Sequence, residues 1–146
     1  MELRQLSDDV SVAPQLEPDD MAALAAQGVR AVICNRPDAE VPPHLQAAAM
    51  QAAAEAAGLT FTYNPVAMPN LTFDAVEEQA DAIGAAGGAV VAYCASGTRS
   101  AILWALAQAG RSPTERILDA LARASYPMPQ LAGQIDALSA HRGTEA

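Results

Sequence analysis

Ala89-Val90-Val91-Ala92-Tyr93-Cys94-Ala95-Ser96-Gly97-Thr98-Arg99-Ser100 packs a strand, a turn and the start of a helix into one short segment. Ala89 to Tyr93 is apolar without polar alternation, the pattern of a strand covered on both faces. The small residues Ala95, Ser96, Gly97 and Thr98 let successive backbone N–H groups turn inward around an anion. Helix entry at Arg99-Ser100 adds unpaired amides and the positive end of the helix dipole. That helix is expected over Ser100 to Ala109, with Gly110 as its stop.

Working outward, Gly and Pro fall between alanine-rich helical runs and short β-branched runs, so the elements alternate strand and helix. Ser11-Val12-Ala13 reads as a first strand, Pro18 to Gln27 as a helix, and Val29 to Cys34 as a buried strand. Asn35-Arg36-Pro37-Asp38 leaves that strand as a turn, because Pro37 disfavours helix at Arg36. Pro43 to Ala57 reads as one helix, Leu59 to Tyr63 as the third strand, and Thr72 as the cap of a helix broken at Gly87-Gly88. After the Ser100 helix come two more. One opens on the capping box Ser112-Pro113-Thr114-Glu115, and the other runs from about Pro129 to Ala140, with His141 to Ala146 expected to fray.

Strands joined by helices of this length predict an α/β fold: a mainly parallel, four- to five-stranded sheet flanked by helices, with three helices at the C-terminal end. Ligands of such sheets bind beyond the C-terminal strand ends. Three loops therefore surround one expected crevice: Asn35 to Asp38, Val66 to Leu71, and Cys94 to Arg99.

The length of 146 residues fits a single domain, where ~100–200 residues are usual. A formal charge of −9 with only eight Lys and Arg argues against a nucleic-acid partner, which needs clustered cations. Arg99 and Arg36 are then the candidates for local positive potential. No apolar run of about 18 residues could span a bilayer, and Met1 to Gln5 lacks the layout of a secretory signal. The expectation is a soluble cytoplasmic protein without a membrane partner. Two cysteines without CxxC or Cys/His spacing predict neither a disulfide framework nor a metal site, and no cofactor is implied.

The chemistry rests on Cys94 as nucleophile. A helix N-terminus with a nearby cation favours the thiolate, the reactive form. Arg99 offers a planar fork for two oxygens of an oxyanion, and Ser100 or Thr98 could donate a hydroxyl hydrogen bond to the sulfur. The implied partner is a small anionic or phosphorylated substrate.

The loop Cys94-Ala95-Ser96-Gly97-Thr98-Arg99-Ser100 resembles that of single-domain rhodaneses, which also have four residues between Cys and Arg where tyrosine and dual-specificity phosphatases usually have five. Val12-Ala13-Pro14-Gln15-Leu16, Gly28 through Asp38, and the loop continuing into Ala101-Ile102-Leu103-Trp104-Ala105-Leu106 are similar to the bacterial phosphatase-like domain sometimes fused to beta-lactamase-like hydrolases. That likeness covers roughly residues 5 to 110. It implies a dual-specificity phosphatase-like fold with Cys94 as nucleophile and Arg99 as oxyanion ligand, although some members of the family are labelled sulfurtransferases. Ala95 departs from relatives that often have arginine there, which lowers the charge offered to an anion.

Monoester hydrolysis also wants an acid to protonate the leaving oxygen. Pro65-Val66-Ala67-Met68-Pro69-Asn70, where such phosphatases commonly carry an aspartate, has none. Asp74, Asp38 and His44 are the alternatives; Asp74 reads more simply as a first-turn dipole partner and His44 as an exposed helix-start residue. Arg36 is either a second anion contact or a brace for Asp38. Cys34 reads as a small buried hydrophobe, while the resemblance implies a second role as a redox partner forming a reversible disulfide with Cys94. Three functions stay open: a phosphohydrolase working through a Cys94 phosphoenzyme, a sulfurtransferase working through a Cys94 persulfide, and a non-catalytic oxyanion-binding module.

Overall fold

A computed structural model describes residues 1–145. Its strands are β1 (Arg4–Gln5), β2 (Val10–Ala13), β3 (Val29–Cys34), β4 (Thr60–Tyr63) and β5 (Ala89–Tyr93), in the sheet order β1-β2-β5-β3-β4. The helices are α1 (Asp20–Ala26), α2 (Ala47–Ala56), α3 (Phe73–Ala85), α4 (Thr98–Gln108), α5 (Thr114–Arg123) and α6 (Ala132–Glu145). The sheet is mainly parallel, as expected of the alternating pattern: β2 and β3 both run parallel to the central β5, and β4 runs parallel to β3. The short β1, which the sequence reading did not resolve as an element, pairs antiparallel with β2 at one edge.

Residue alternation along β5 divides the core. Val90 and Ala92 face a cluster with Val10, Val12, Ile33, Leu103, Trp104, Ile117, Leu121 and Ile135. Val91 and Tyr93 face a second cluster with Leu16, Met21, Leu24, Val32, Met50 and Leu59. The period of two thus presents one side of β5 to α4, α5 and α6 and the other to α1 and α2, which makes its C-terminal end a rigid platform. Among the described residues no helix is long and apolar enough to cross a membrane.

Several boundaries depart from expectation for physical reasons. The expected Pro43–Ala57 helix is instead a 3₁₀ turn over Pro43–Leu45, an extended Gln46, and α2. Gln46 Nε2 donates to the carbonyls of Asp38 and Val41, at 3.3 and 3.2 Å, while the Ala47 amide donates to Asp38 Oδ1 at 2.7 Å. A carboxylate nine residues upstream therefore caps α2, and the chain between folds back as a second 3₁₀ turn, Asp38–Glu40.

The Ser112–Glu115 capping box does not form. Pro113 takes the N-cap position without a side-chain hydrogen bond, so the box residues are out of register. Thr72 does cap α3, accepting from the Ala75 amide at 3.1 Å. At the other end, α6 extends past Ala140 through His141 and Arg142, because Arg142 donates to the carbonyls of Leu106, Ala107 and Ala109 and pairs with Glu77. Ala146 lies outside the described residues.

Candidate active site

β5 delivers the chain to Cys94, whose side chain is wholly buried. The next residues reverse direction until Gly97, at φ 93°, allows α4 to begin at once with Thr98, two residues earlier than expected. A left-handed residue of this kind is what glycine supplies without steric cost. The Gly97 amide donates to Cys94 Sγ at 3.1 Å, so at least one loop N–H points inward as the spacing of small residues predicts. Neighbouring chain pins the loop from outside: the Cys94 amide donates to Ala13 O at 3.3 Å, and the Gln15 amide to Ala95 O at 3.2 Å. Ser96 Oγ donates to Thr98 Oγ1 at 2.9 Å and accepts from the Thr98 amide at 3.4 Å, which stiffens the exposed rim. Tyr126 Oη donates to the Ser96 carbonyl at 2.9 Å from below.

Arg99 ties its own loop to the expected Val66–Leu71 loop and to Glu40, just beyond the expected Asn35–Asp38 loop. Its Nη1 and Nη2 donate to Glu40 Oε2 and Oε1, each at 2.9 Å, and Nη1 also donates to Val66 O at 2.9 Å. Such a fork-on-carboxylate pair is charge-assisted and directional. It raises the Arg99 pKa, with the Glu40 hydrogen bond as the largest cause, burial opposing, and the nearby Cys94 sulfur adding a smaller upward push. Glu40 is held below its ordinary carboxylate value, chiefly by Arg99 and, after a counteracting desolvation, by Arg36.

Sequence reasoning missed Glu40. Its partner lies 59 residues away, and a lone glutamate after Pro37 carries no local signal. Arg36 braces this same carboxylate, with Nε on Glu40 Oε1 at 3.2 Å and Nη1 on Gln15 Oε1 at 3.2 Å. The expected Arg36–Asp38 brace is replaced by this one, because Asp38 turns back to cap α2.

Ser100 is wholly buried and does not donate to the sulfur. Its Oγ donates to Asn35 Oδ1 at 2.8 Å. Thr98 is likewise engaged with Ser96 rather than with Cys94. Asn35 is the hub of a buried amide network that the sequence did not reveal. Its Nδ2 donates to Asn64 O and Gln79 Oε1, its Oδ1 accepts also from Gln79 Nε2, and Asn64 Nδ2 reaches Gln79 Oε1 and Ala75 O. Buried amides persist only when so paired. The residue types alone, three amides spread from 35 to 79, offered no pattern to find it.

The remaining candidates take their places around this centre. Asp74 is exposed in the first turn of α3, and His44 is exposed on the Pro43–Leu45 turn. Cys34 pairs in register with Tyr93, the residue before Cys94, and its thiol donates to Arg36 O at 3.4 Å. Burial, first among the causes, pushes its pKa up. Both cysteines are free thiols.

The chain is 32% identical over 108 residues to the beta-lactamase hydrolase-like protein of Xylella fastidiosa, covering 74% of this chain but 25% of that one. It thus spans about a quarter of the length of the curated relatives it matches. A candidate phosphatase of Neisseria meningitidis is 30% identical, with a TM-score of 0.80 over 94% of this chain and 99% of its own. PTPMT1 in complex with PI(5)P shares the fold at 16% identity, with a TM-score of 0.77 over 98% of this chain and 97% of its own. Residues 2–111, which hold the sheet, Cys94 and Arg99, match the phosphatase-like domain of the beta-lactamase hydrolase-like protein, and the chain belongs to that family.

Proposed function

We propose that this domain hydrolyses phosphate monoesters through Cys94. The observation that carries the reading is the Gly97 amide directed at Cys94 Sγ, at 3.1 Å, beside a guanidinium anchored by Glu40, in a chain of phosphatase-like family and fold. The thiolate attacks phosphorus as the ester P–O bond breaks, leaving a cysteinyl-phosphate and an alcohol or phenol. Water then cleaves the S–P bond, releases inorganic phosphate and restores the sulfur. Arg99 and the loop amides stabilise charge on the non-bridging oxygens in both steps. PTPMT1, crystallised with PI(5)P, offers an example of this fold holding a phosphorylated molecule.

The leaving oxygen needs a proton, and the Val66–Leu71 loop offers no carboxyl group. Esters of acidic phenols, which depart unprotonated, are therefore the favoured substrates. Alkyl esters lose the roughly 10²–10⁴-fold a general acid contributes.

The test compares wild type with Cys94→Ser on p-nitrophenyl phosphate, on an alkyl phosphate, and on thiosulfate with cyanide. Turnover of the aryl ester that Cys94→Ser abolishes, with the alkyl ester at least about 10²-fold slower, supports the reading. Cys94-dependent thiocyanate formation without phosphate release replaces it with sulfur transfer, and no turnover at all leaves an oxyanion-binding module.

A further inference from the structure

The oxyanion loop is held from beneath by a residue that belongs to neither the loop nor the sheet. Tyr126 lies just after α5, and the chain reaches it through Ser125 at φ 70°, the one non-glycine residue with positive φ among those described. Such a conformation is disfavoured for any residue with a side chain. Here it folds the chain back so that the Tyr126 amide donates to Leu121 O at 2.8 Å and the ring enters the core beside α4. The Arg4 guanidinium of β1 covers the ring from outside, 4.9 Å from its centroid.

The hydroxyl donates to Ser96 O at 2.9 Å. The carbonyl of Ser96 and the N–H of Gly97 belong to one peptide unit, which is planar and trans, so the two point in opposite directions. Fixing the carbonyl outward fixes the N–H inward, and that N–H is the one 3.1 Å from Cys94 Sγ. Gly97 is matched to the same contact: a Cβ built there would lie 2.1 Å from Tyr126 Oη and 2.9 Å from its Cζ. Loop and tyrosine therefore fit only with a bare backbone between them. Burial raises the pKa of the phenol, with Arg4 opposing and Cys94 adding to the rise, so the hydroxyl keeps its proton and remains a donor.

We propose that Tyr126 is a positioning residue for the oxyanion loop: by holding the Ser96 carbonyl outward it turns the Gly97 amide onto the Cys94 sulfur and onto any oxyanion seated there. The catalytic consequence rests on the phosphatase reading above, whereas the orientation of the peptide does not. Tyr126→Phe removes only the hydroxyl and keeps the ring and its contact with Arg4.

The experiment follows the Gly97 amide by ¹⁵N–¹H NMR in wild type and variant, alone and titrated with inorganic phosphate, alongside kcat and KM on p-nitrophenyl phosphate. Expected are a shifted Gly97 resonance in the free variant, phosphate affinity about tenfold weaker, and kcat lower by about 10–100-fold, approaching the loss of an oxyanion donor. A Gly97 resonance and phosphate affinity both unchanged in Tyr126→Phe overturn the proposal. Wild type that binds phosphate without hydrolysing esters sinks the phosphatase reading and leaves the positioning judged by the resonance and the affinity. Arg4→Ala is the second variant, touching neither loop nor ligand: it loosens the ring from outside and is expected to shift the same resonance in the same direction by less, and no shift in either variant counts against the proposal.

Discussion

Under the proposed mechanism, Arg99 has to meet an incoming phosphoryl group while both its terminal nitrogens rest on Glu40. The carboxylate holds the fork in place and also repels an anion and competes with it for the same donors. Replacing Glu40 by Gln removes the charge and keeps the size, so KM for p-nitrophenyl phosphate is expected to fall about 3–10-fold, worth about 1 kcal/mol; a rise instead would make orientation of Arg99 the dominant role of Glu40. The same variant carries a pH signature. Because the folded Glu40 pKa lies below its ordinary value of 4.5, the clamp stabilises the fold fully above that value and loses its contribution as pH falls through the depressed one. With Glu40 about a third exposed, the pair is worth about 1 kcal/mol after solvent screening. The Tm advantage of wild type over Glu40→Gln should be about 2–4 °C near neutrality and close as the solution is acidified below the ordinary glutamate range. None of this was legible beforehand: Cys94 and Arg99 announce themselves by local spacing, but Glu40 acquires meaning only when the turn after β3 is folded against α4.

At the level of elements, the Asn35 network fastens the ends of β3 and β4 to α3 and to the first turn of α4. Asn35→Leu would strand the Ser100 hydroxyl and the Gln79 amide in a dry interior. The expected loss is roughly 2–4 kcal/mol, read as a lower urea midpoint at unchanged slope. Here too local and non-local signals part company. The strand, loop and helix from Ala89 onward were readable because every cue for them is contiguous, and Thr72 was readable as a cap because its partner is three residues on. The segment from Asp38 to Ala47 was not, since the alanine run after Pro43 favours helix while Asp38 and Gln46 impose a fold-back that starts α2 four residues late. Ser112 and Glu115 have the right spacing for a box, and a proline at the N-cap moves them out of it.

For the molecule as a whole, the proposed reaction brings a doubly anionic substrate to a chain of net charge −9. Long-range repulsion extends over a Debye length of about 30 Å at 0.01 M ionic strength and about 8 Å at 0.15 M, whereas the contact with Arg99 is short and less screened. KM for p-nitrophenyl phosphate is therefore expected to fall about twofold as inert salt is raised across that range, and a rise would mean that attraction by Arg99 and Arg36 governs the approach. The sheet sets the centre apart from this charged surface: β5 is buried on both sides, and its end positions Cys94 away from the exposed acids. Complete burial of that sulfur has one more consequence. With the sulfur at no solvent exposure, a bulky disulfide reagent is expected to label Cys94 far more slowly in the folded than in the unfolded protein.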